Sequence, residues 1–422
     1  MQPHLQQRRE RLASAWALRD ELVLIGAGEP PPIPGGQDQH YRFLAHSEYF
    51  YLTDEECPGG VVAFDPRDGW LDFAPEVTEL ERLWEGRTHA PGQPLTQLAG
   101  WLAGRRGRSL VMLGSPPLRA PTDAGRVAEL RAAFDHVRRS KDEIELARIG
   151  QAVAATITGF AAARAHMRPG VSERALQIEI ETAFYRAGAD RTAYDTIVGA
   201  GSNAAVLHFS PSSRALAEGE LVLIDAGAEV RRYCADVTRT YPVGAGFSAF
   251  QRELYEVVLR TEERAIERCR VGVEYRDVHM GACRDIAEGL VQLGLLRGAP
   301  DALVERDAHA LFFPHGVGHM VGLGVRDASG YLPGRTRSTR PGLSALRTDL
   351  PLEAGFVMTI EPGVYFVPAL LNNADRRQRY ADCVDWARVD TLLNAGGVRI
   401  EDNILITEAG PKNLTCDIPK RY

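Results

Sequence analysis

Four acidic residues of this chain lie within or directly after apolar segments that have the pattern of a β-strand. They are Asp225 in Leu221–Ala226, Asp236 in Cys234–Tyr241, Glu361 after Phe356–Ile360 and Glu401 after Gly397–Ile400. A carboxylate that is buried without a partner is costly and tends to take up a proton. One such residue is readily explained as a hydrogen-bonded carboxylate of the core. Four in one chain predict that a cationic group compensates them.

Two histidines accompany these acids in the segment Pro314–Met320, which reads PHGVGHM. Its glycines allow the backbone around His315 and His319 to approach another group closely. Carboxylates together with an imidazole suit Mn, Co, Zn or Fe as metal ligands. Four carboxylates balance two divalent cations, which at roughly 3.5–4 Å apart share bridging ligands and activate a water molecule. The residues alone therefore predict a dinuclear metallohydrolase.

The overall composition excludes several other classes of protein. The chain has 422 residues, 45% hydrophobic and 25% charged, as in globular proteins, with a formal net charge of −7. This balance lacks the basic surface of nucleic-acid-binding proteins, so we expect no nucleic-acid partner. Six cysteines without a CxxC pair indicate reduced thiols. No apolar run of about 18 residues and no signal-peptide pattern occurs, so we expect a cytoplasmic protein with no membrane partner.

The first third of the chain is typical of a small α/β domain. Helices are predicted at Leu5–Arg19, Glu79–Trp84 and Leu95–Ala103, and strands at Glu21–Ala27, Glu48–Thr53, Gly60–Phe64, Gly69–Ala74 and Leu110–Leu113. The character of the sequence changes near Phe134–Ser140. We therefore predict an N-terminal domain of residues 1–135 and a larger C-terminal domain of residues 136–422.

The C-terminal domain is predicted to begin with a long amphipathic helix. Ser140 and Glu143 have the spacing of a capping box, and the helix that follows runs to about Met167. Three more helices are predicted, at 172–187, Ala249–Cys269 and Tyr275–Leu295. Strands that carry the four acids lie between and after these helices. The expected fold class is therefore mixed α/β, or α+β.

At these motifs the sequence resembles the pita-bread metallopeptidases, which include methionine aminopeptidase, aminopeptidase P and prolidase. Asp225 and Asp236 lie eleven residues apart, and HGVGH, TIEPGVYF and GGVRIEDN follow in the order and spacing of that family. The resemblance covers about Ser140–Thr415, and weakly the first domain through Tyr49–Thr53. It implies a C-terminal catalytic domain of the creatinase/aminopeptidase-like fold. The N-terminal domain would cap the site and help to form a homodimer.

The resemblance also implies a ligand set for two divalent metal ions. The ligands would be Asp225, Asp236, His319, Glu361 and Glu401. Asp236 and Glu401 would bridge both ions, and Glu361 would also shuttle a proton during catalysis. Mn is the expected metal, with Zn, Co and Fe as alternatives that the same ligands accept.

Other residues match positions around the active site of the family. His208 matches a histidine that helps to hold the substrate, and His315 one that lines the site. Tyr194, Tyr365 and Arg399 match residues of the pocket or of the layer that supports the ligands. The residues alone leave another interpretation open: the tyrosines are core aromatics, and Arg399 is only an ion-pair partner of the acids.

Two arginines bear on the choice between family members. The stretch from Tyr331 to Glu401 looks more like prolidase than aminopeptidase P. In prolidases the arginine at the position of Arg347 binds the C-terminal carboxylate of the substrate, with which a planar guanidinium pairs bidentately. The family usually reads V-H-D where this chain has Arg326 in V-R-D. Arg326 cannot shuttle a proton. It would bind the carboxylate with Arg347 or in its place, or mark a changed specificity or a low activity.

The function predicted on this basis is that of an Xaa-Pro dipeptidase (prolidase). It would hydrolyse the imide bond of dipeptides with a C-terminal proline, through a dinuclear metal centre and a bridging hydroxide. The nearest alternative is an Xaa-Pro aminopeptidase, which acts on longer peptides. Organophosphate hydrolysis at the same metal site is a further alternative. A non-catalytic peptide-binding module belongs to another class, but such modules typically lack metal ligands that this chain retains.

Overall fold

The structure is a computed structural model that describes residues 2–118, 121 and 123–421. The chain divides into two compact units, Met1–Arg138 and Arg139–Tyr422. The boundary expected from the sequence, between residues 135 and 136, falls inside the helix Ala124–Arg139 that leads into the second unit. The capping and dimerisation roles expected for the N-terminal domain stay predictions.

The first unit contains one five-stranded mixed sheet with helices. Its helices are α1 (Pro3–Trp16), α2 (Ser47–Thr53), α3 (Glu79–Trp84), α4 (Leu98–Ala103) and α5 (Ala124–Arg139). Its strands are β1 (Leu22–Ala27), β2 (Val61–Asp65), β3 (Gly69–Ala74), β4 (Gln93–Pro94) and β5 (Leu110–Ser115), in the order β4-β3-β2-β1-β5. β1 lies parallel to β5 and antiparallel to β2. Buried Leu24, Val61 and Phe73 form part of the core.

One predicted strand of this unit is wrong. The segment Glu48–Thr53 lies in helix α2, where residues 48–52 are all buried. A short segment that is buried on every side shows neither the alternation of a strand nor the 3.6-residue spacing of a helix, so its sequence does not distinguish the two. The nitrogen Nδ1 of His46 accepts a hydrogen bond from the backbone of Glu48 and caps the helix.

The second unit begins with two packed helices, α6 (Glu143–His166) and α7 (Glu173–Arg186). The capping box of α6 is formed by Asp142 and Glu145, not by the predicted pair Ser140 and Glu143. The Ser140 hydroxyl instead donates to the backbone oxygen of Ala354. An aspartate carboxylate is as good an N-cap as a serine hydroxyl, and Asp142 lies only two residues after Ser140, so the sequence alone did not separate the two candidates.

Helix α6 is long and apolar enough to cross a membrane by length and composition alone, with a mean hydropathy of 1.2 in its most apolar window. It packs against α7 and contributes Ala155, Phe160 and Ala163 to a core shared with that helix. A core helix of a folded domain passes the same test of length and composition. The absence of a membrane partner stays a prediction.

Small antiparallel sheets follow the helix pair. Their strands are β6 (Arg191–Thr192), β7 (Ile197–Ala200), β8 (Leu221–Ala226), β9 (Ala228–Val230), β10 (Tyr233–Cys234), β11 (Val237–Pro242), β12 (Val357–Ile360), β13 (Gly363–Tyr365), β14 (Gly397–Arg399), β15 (Asp402–Thr407) and β16 (Gly410–Asn413). The sheets have the orders β11-β8-β7, β10-β9-β6, β12-β15-β16 and β13-β14. The remaining helices are α8 (Ala249–Arg268), α9 (Tyr275–Gln292), α10 (Pro300–Glu305), α11 (Pro368–Leu371), α12 (Ala374–Arg379) and α13 (Trp386–Asp390). The mixed α/β class expected from the sequence is confirmed.

The strand predicted over Cys234–Tyr241 is interrupted. It forms β10 and β11, and Asp236 lies between them. The backbone N–H of Asp236 donates to Oδ1 of Asn403, and Nδ2 of Asn403 donates to the backbone oxygen of Asp236. An asparagine side chain therefore takes the place of a strand neighbour here and fixes the position of Asp236.

Candidate metal centre

Strand pairing brings three of the predicted acids together. In the sheet β11-β8-β7, Asp225 of β8 lies opposite Thr238 of β11. Thr238 in turn forms an isolated bridge with Glu401, and its hydroxyl donates to Oε2 of Glu401 over 2.7 Å. Asp236 lies two residues before Thr238. The strand register therefore brings Asp225, Asp236 and Glu401, which lie on three neighbouring chain segments, close together.

Asp236, His319 and Glu401 form a buried group that could hold a metal ion. One ligand atom from each lies within 4.8 Å of the other two. Nε2 of His319 lies 3.4 Å from Oδ2 of Asp236 and 3.8 Å from Oε1 of Glu361. The structure thus brings four of the five predicted ligands to one cluster, and Asp225 lines the same cavity.

The tautomer of His319 suits a metal ligand. Its Nδ1 lies 2.9 Å from the backbone oxygen of Met320. A carbonyl oxygen only accepts, so Nδ1 carries the proton and Nε2 keeps its lone pair toward the carboxylates. Burial lowers the pKa of His319 to about 3, and the positive charge of Arg326 acts in the same direction. The ring is therefore neutral, as ligation requires.

Asp225 is held on both oxygens by residues that the sequence had placed near the site. The Tyr194 hydroxyl donates to Oδ1 over 2.6 Å, and Nη2 of Arg399 donates to Oδ2 over 2.6 Å. Arg399 also donates to the hydroxyls of Thr238 and Tyr365. These hydrogen bonds fix the orientation of the Asp225 carboxylate. Each of its oxygens accepts only one of them and keeps a lone pair that is available for a cation.

Tyr365 lies behind the cavity wall, not on it. It is fully buried, and its hydroxyl lies 2.8 Å from Nε2 of His315. Nδ1 of His315 lies 2.8 Å from the backbone oxygen of Gly316 and 3.7 Å from Oε2 of Glu361. Both ring nitrogens of His315 are thus engaged. Contact of Tyr365 with a substrate stays a prediction, since this geometry links it to His315 and Arg399.

The electrostatics of the cluster favour bound cations. Burial, followed by repulsion from Asp225, raises the pKa of Asp236. Burial, followed by repulsion from Asp236, raises the pKa of Glu401, and burial also raises that of Glu361. Carboxylates that resist ionisation because they are buried together are stabilised by divalent cations. The donor set of carboxylates and one neutral imidazole therefore fits the predicted metal pair.

All predicted site residues except Tyr365 line one cavity of about 590 Å³. They are Tyr194, His208, Asp225, Asp236, His315, His319, Arg326, Arg347, Glu361, Arg399 and Glu401. Burial lowers the pKa of His208, and the charge of Arg326 adds to that effect. The apolar part of the wall includes Ile197, Leu207 and Phe209. No sequence signal marks these three residues, because single apolar residues look alike whether they line a pocket or a core.

A buried glutamate, which the sequence did not mark as functional, accepts hydrogen bonds from residues on both sides of His208. Glu173, the first residue of α7, has no exposed surface. Its Oε1 accepts from the backbone of Ala200 and from Nδ2 of Asn203. Its Oε2 accepts from the backbone and the hydroxyl of Ser212. A glutamate in a first helical turn is common, so the sequence alone indicated nothing beyond a helix start.

Comparisons with known proteins agree with this geometry. The model of metallopeptidase family M24 matches residues 147–408. A probable Xaa-Pro aminopeptidase of Aspergillus clavatus is 32% identical over 409 residues, which cover 90% of this chain and 86% of that protein. The Xaa-Pro aminopeptidase of Escherichia coli is 36% identical over 291 residues, which cover 69% of this chain and 59% of that protein.

Solved structures are similar over nearly the whole chain. The aminopeptidase PepP of Pseudomonas aeruginosa has a TM-score of 0.79 at 27% identity, covering 99% of this chain and 96% of that one. The proline aminopeptidase P II of Yersinia pestis has a TM-score of 0.79 at 28% identity, covering 100% and 97%. The predicted fold is confirmed. The dipeptidase prediction is not confirmed, because these relatives support the aminopeptidase alternative. With its buried carboxylate and histidine cluster, the chain belongs to metallopeptidase family M24.

Proposed function

We propose that this protein is an Xaa-Pro aminopeptidase, which removes the residue before a proline from the N-terminus of a peptide. The observation that carries the proposal is the buried cluster of Asp236, His319 and Glu401, on one cavity with Asp225 and Glu361. The relatives and solved structures compared above bear the names of Xaa-Pro or proline aminopeptidases.

The five residues of that cavity would hold two divalent cations, for which Mn is our proposal because the ligands are mostly oxygen. When bound, such cations polarise the carbonyl of the scissile bond and lower the pKa of a water molecule. His319 and the carboxylates supply the lone pairs. Tyr194 and Arg399 keep Asp225 oriented through their hydrogen bonds to its two oxygens.

Glu361 would act as the acid and base of the reaction. Its carboxyl group lies 3.8 Å from His319 and 3.7 Å from His315, measured between the nearest polar atoms. Burial raises its pKa, so it can hold a proton closer to neutral pH than an exposed glutamate. The proline nitrogen leaves as an amine and needs a proton, which a carboxyl group in this position can deliver. His208, which lines the same cavity, would contact the substrate.

Hydrolysis of Ala-Pro-Ala, with Ala-Ala-Ala as the control, tests the proposal. The protein is first treated with a chelator and then reloaded with Mn. We expect release of alanine from Ala-Pro-Ala only, and only after reloading. Cleavage of both tripeptides would contradict the requirement for proline. Cleavage of neither, with metal bound, would instead support a peptide-binding module.

An Xaa-Pro dipeptidase stays the second candidate. Arg326 and Arg347 line the cavity, and neither has an ion-pair partner in the described ranges, so either could bind the C-terminal carboxylate of a dipeptide. Ala-Pro in the same assay distinguishes the candidates. A dipeptidase would cleave Ala-Pro and leave Ala-Pro-Ala intact, whereas an aminopeptidase cleaves the tripeptide.

We propose that this enzyme is a homodimer and that it lies in the cytoplasm. The location is supported by the six free cysteines, of which only Cys416 is exposed, because unpaired thiols suit a reducing compartment. Sedimentation equilibrium would measure the mass of the protein in solution, and the mass of a monomer would contradict the proposed homodimer. Fractionation of the source cells would test the location.

A further inference from the structure

Helix α9 carries a buried histidine whose two ring nitrogens contact two different loops. His279 is 1% exposed, and its Nδ1 accepts a hydrogen bond from the backbone N–H of Val317 over 3.2 Å. Its Nε2 lies 2.6 Å from the backbone oxygen of Gly342. A carbonyl oxygen only accepts, so Nε2 carries the proton and Nδ1 offers its lone pair. Both contacts need the neutral ring, and burial lowers the pKa of His279.

The peptide group at Val317 belongs to the proposed metal centre. Val317 is the middle residue of positions 315–319, the histidine segment, and it is fully buried. Its backbone oxygen accepts a hydrogen bond from the N–H of Glu361 over 2.8 Å. One residue is therefore fixed on both sides, through its N–H by His279 and through its oxygen by Glu361. A buried N–H without an acceptor is costly, so the contact with His279 also disfavours other positions of the segment.

The second contact of the histidine belongs to another part of the same cavity. Residues 342–347, the wall segment, begin at the backbone oxygen beside His279 and end at Arg347, which lines the cavity. The two segments also lie against each other, because a Cβ at Gly316 would be 3.1 Å from the backbone oxygen of Ala345. His279 therefore connects two neighbouring segments from behind the cavity.

We infer that His279 is a positioning residue, which holds the histidine segment and the wall segment in place and orders them as one unit. This role rests on the proposed function, to which it adds a residue that is buried and does not line the cavity. A segment that is already ordered loses less entropy when it binds a ligand. Nδ1 therefore supports metal binding through the histidine segment, and Nε2 supports substrate binding through the wall segment.

Two substitutions separate the two ring nitrogens. Asparagine places an acceptor oxygen near the position of Nδ1, whereas glutamine places an amide donor near that of Nε2. His279→Gln should weaken Mn binding about 10-fold, because the buried N–H of Val317 loses its acceptor. His279→Asn should keep the Mn affinity within about 2-fold of wild type and raise KM for Ala-Pro-Ala about 3- to 10-fold, with kcat within about 3-fold.

Calorimetry with Mn and steady-state kinetics at saturating Mn measure these two quantities. The opposite order of the two substitutions, or equal effects on the Mn affinity and on KM, would overturn the inference.

His309 provides matched controls, since it is a second buried histidine beside the wall segment. A Cβ at Gly342 would lie 2.9 Å from two atoms of its ring. Among the residues that the structure describes, its ring nitrogens form no hydrogen bond with either segment. His309→Gln and His309→Asn should therefore leave the Mn affinity and KM within about 2-fold of wild type. Losses equal to those of the His279 variants would show that any change in this core disturbs the site, and would overturn the positioning role.

Hydrogen exchange of the wild-type protein tests the connection between the segments without a substitution. Mn should slow the exchange of backbone amides in the wall segment as well as in the histidine segment, because the two are ordered together. Slower exchange in the histidine segment alone would contradict the inference.

The Mn titration distinguishes failure of the positioning role from failure of the proposed function. If Ala-Pro-Ala is not cleaved but His279→Gln binds Mn more weakly than His279→Asn and the His309 variants, the positioning role stands and the proposed function fails. If the wild-type protein cleaves Ala-Pro-Ala and the His279 variants match it in Mn affinity and KM, the function stands and the positioning role fails.

Discussion

At the scale of single residues, the site depends on groups that orient the ligands. Arg399 is buried and contacts Asp225, Thr238 and Tyr365 at once. Thr238 in turn donates to Glu401. One guanidinium therefore connects Asp225 with Tyr365 and, through Thr238, with Glu401. Removal of such outer groups typically lowers metal affinity or activity about 10- to 100-fold.

Arg399→Met should weaken the binding of Mn and Zn by about 10- to 100-fold, since Asp225 loses its fixed orientation. A metal titration monitored by calorimetry measures this change. Arg399→Lys is the control, because it keeps the charge and loses the fork of donors. We expect it to lie between wild type and Arg399→Met. Wild-type affinity in Arg399→Met would exclude a supporting role.

At the scale of elements, the segment with His319 runs beside β12 like a short strand. The backbone N–H of Thr359 donates to the oxygen of His319, and that of Glu361 donates to the oxygen of Val317. The backbone N–H of His319 donates to the Thr359 hydroxyl. These bonds set His319 beside Glu361. Gly318 permits the close approach, because its φ is +156° and a Cβ there would lie 2.1 Å from the oxygen of Thr359.

Gly318→Ala should therefore displace the His319 segment from β12 and weaken metal binding by more than 10-fold, by the same reasoning as for lost supporting groups. Gly324→Ala is the matched control, since its φ is +89° but no atom lies within 4 Å of the new Cβ. That control should cost only about 1 kcal/mol of stability, from the backbone conformation. Urea unfolding and metal titration measure both variants. Similar effects of the two substitutions would contradict the close-approach argument.

At the scale of the whole molecule, ion pairs and hydrogen bonds connect residues 418–420 with helix α8 and strands β11 and β15 of the second unit. Lys420 lies 2.9 Å from Glu262 of α8 and 2.8 Å from Asp402 of β15. Arg239 of β11 pairs with Asp402 and donates to the backbone oxygen of Ile418. Two cations and two carboxylates thus form one network beside Glu401, in which Arg239, Glu262 and Asp402 are buried and Lys420 is partly exposed. Breaking such a network by removing one partner costs about 3–5 kcal/mol.

Lys420→Met should destabilise the protein by about 3 kcal/mol, because the buried carboxylate of Asp402 loses one of its two counter-charges and Glu262 loses a hydrogen-bond donor. Glu262→Gln combined with Lys420→Met should recover part of that loss, and the double-mutant cycle in urea gives the coupling. Additive effects of the two substitutions would show that the pair contributes no coupling.

The same network predicts a pH dependence of stability. Burial, followed by repulsion from Asp402, raises the pKa of Glu262 above its ordinary value of 4.5. The folded state then binds more protons than the unfolded state above pH 4.5, so the free energy of unfolding falls as pH rises toward the folded pKa. Glu262→Gln should flatten this slope between pH 5 and 8, as about one proton is removed from the linkage. Urea unfolding at several pH values checks it, and an unchanged slope would contradict it.

Metal binding gives a second prediction at this scale. A ligand that binds only the folded state stabilises it by about 2.7 kcal/mol at one hundred times its dissociation constant. Mn should therefore raise the melting temperature of the chelator-treated protein. Asp236→Asn should remove most of this increase, whereas Glu143→Gln, on the exposed start of α6, should keep it. An increase that is the same in both variants would place the metal elsewhere.

The sequence by itself determined the chemistry of this protein and most of its elements. Apolar strands that end in carboxylates, and a glycine-flanked histidine pair, predicted the cluster that the family relationship supports. Helices such as Glu79–Trp84 and Glu173–Arg186 followed from local residue patterns, which for the second helix include Ser172 at its N-terminus. Local signals failed where burial was complete, as in helix α2, because a segment buried on all sides carries no periodicity.

Only the tertiary structure decided how distant residues meet. Asn403 replaces a strand partner of Asp236, Glu173 holds the segment of His208, and Arg399 joins Asp225 to Tyr365. These contacts connect residues that are far apart in the chain, so no local pattern encodes them. The same holds for Arg326 and Arg347, which line one cavity with the predicted metal ligands only once the chain is folded. Residue types set which chemistry is available, and strand register and packing set which groups share a site.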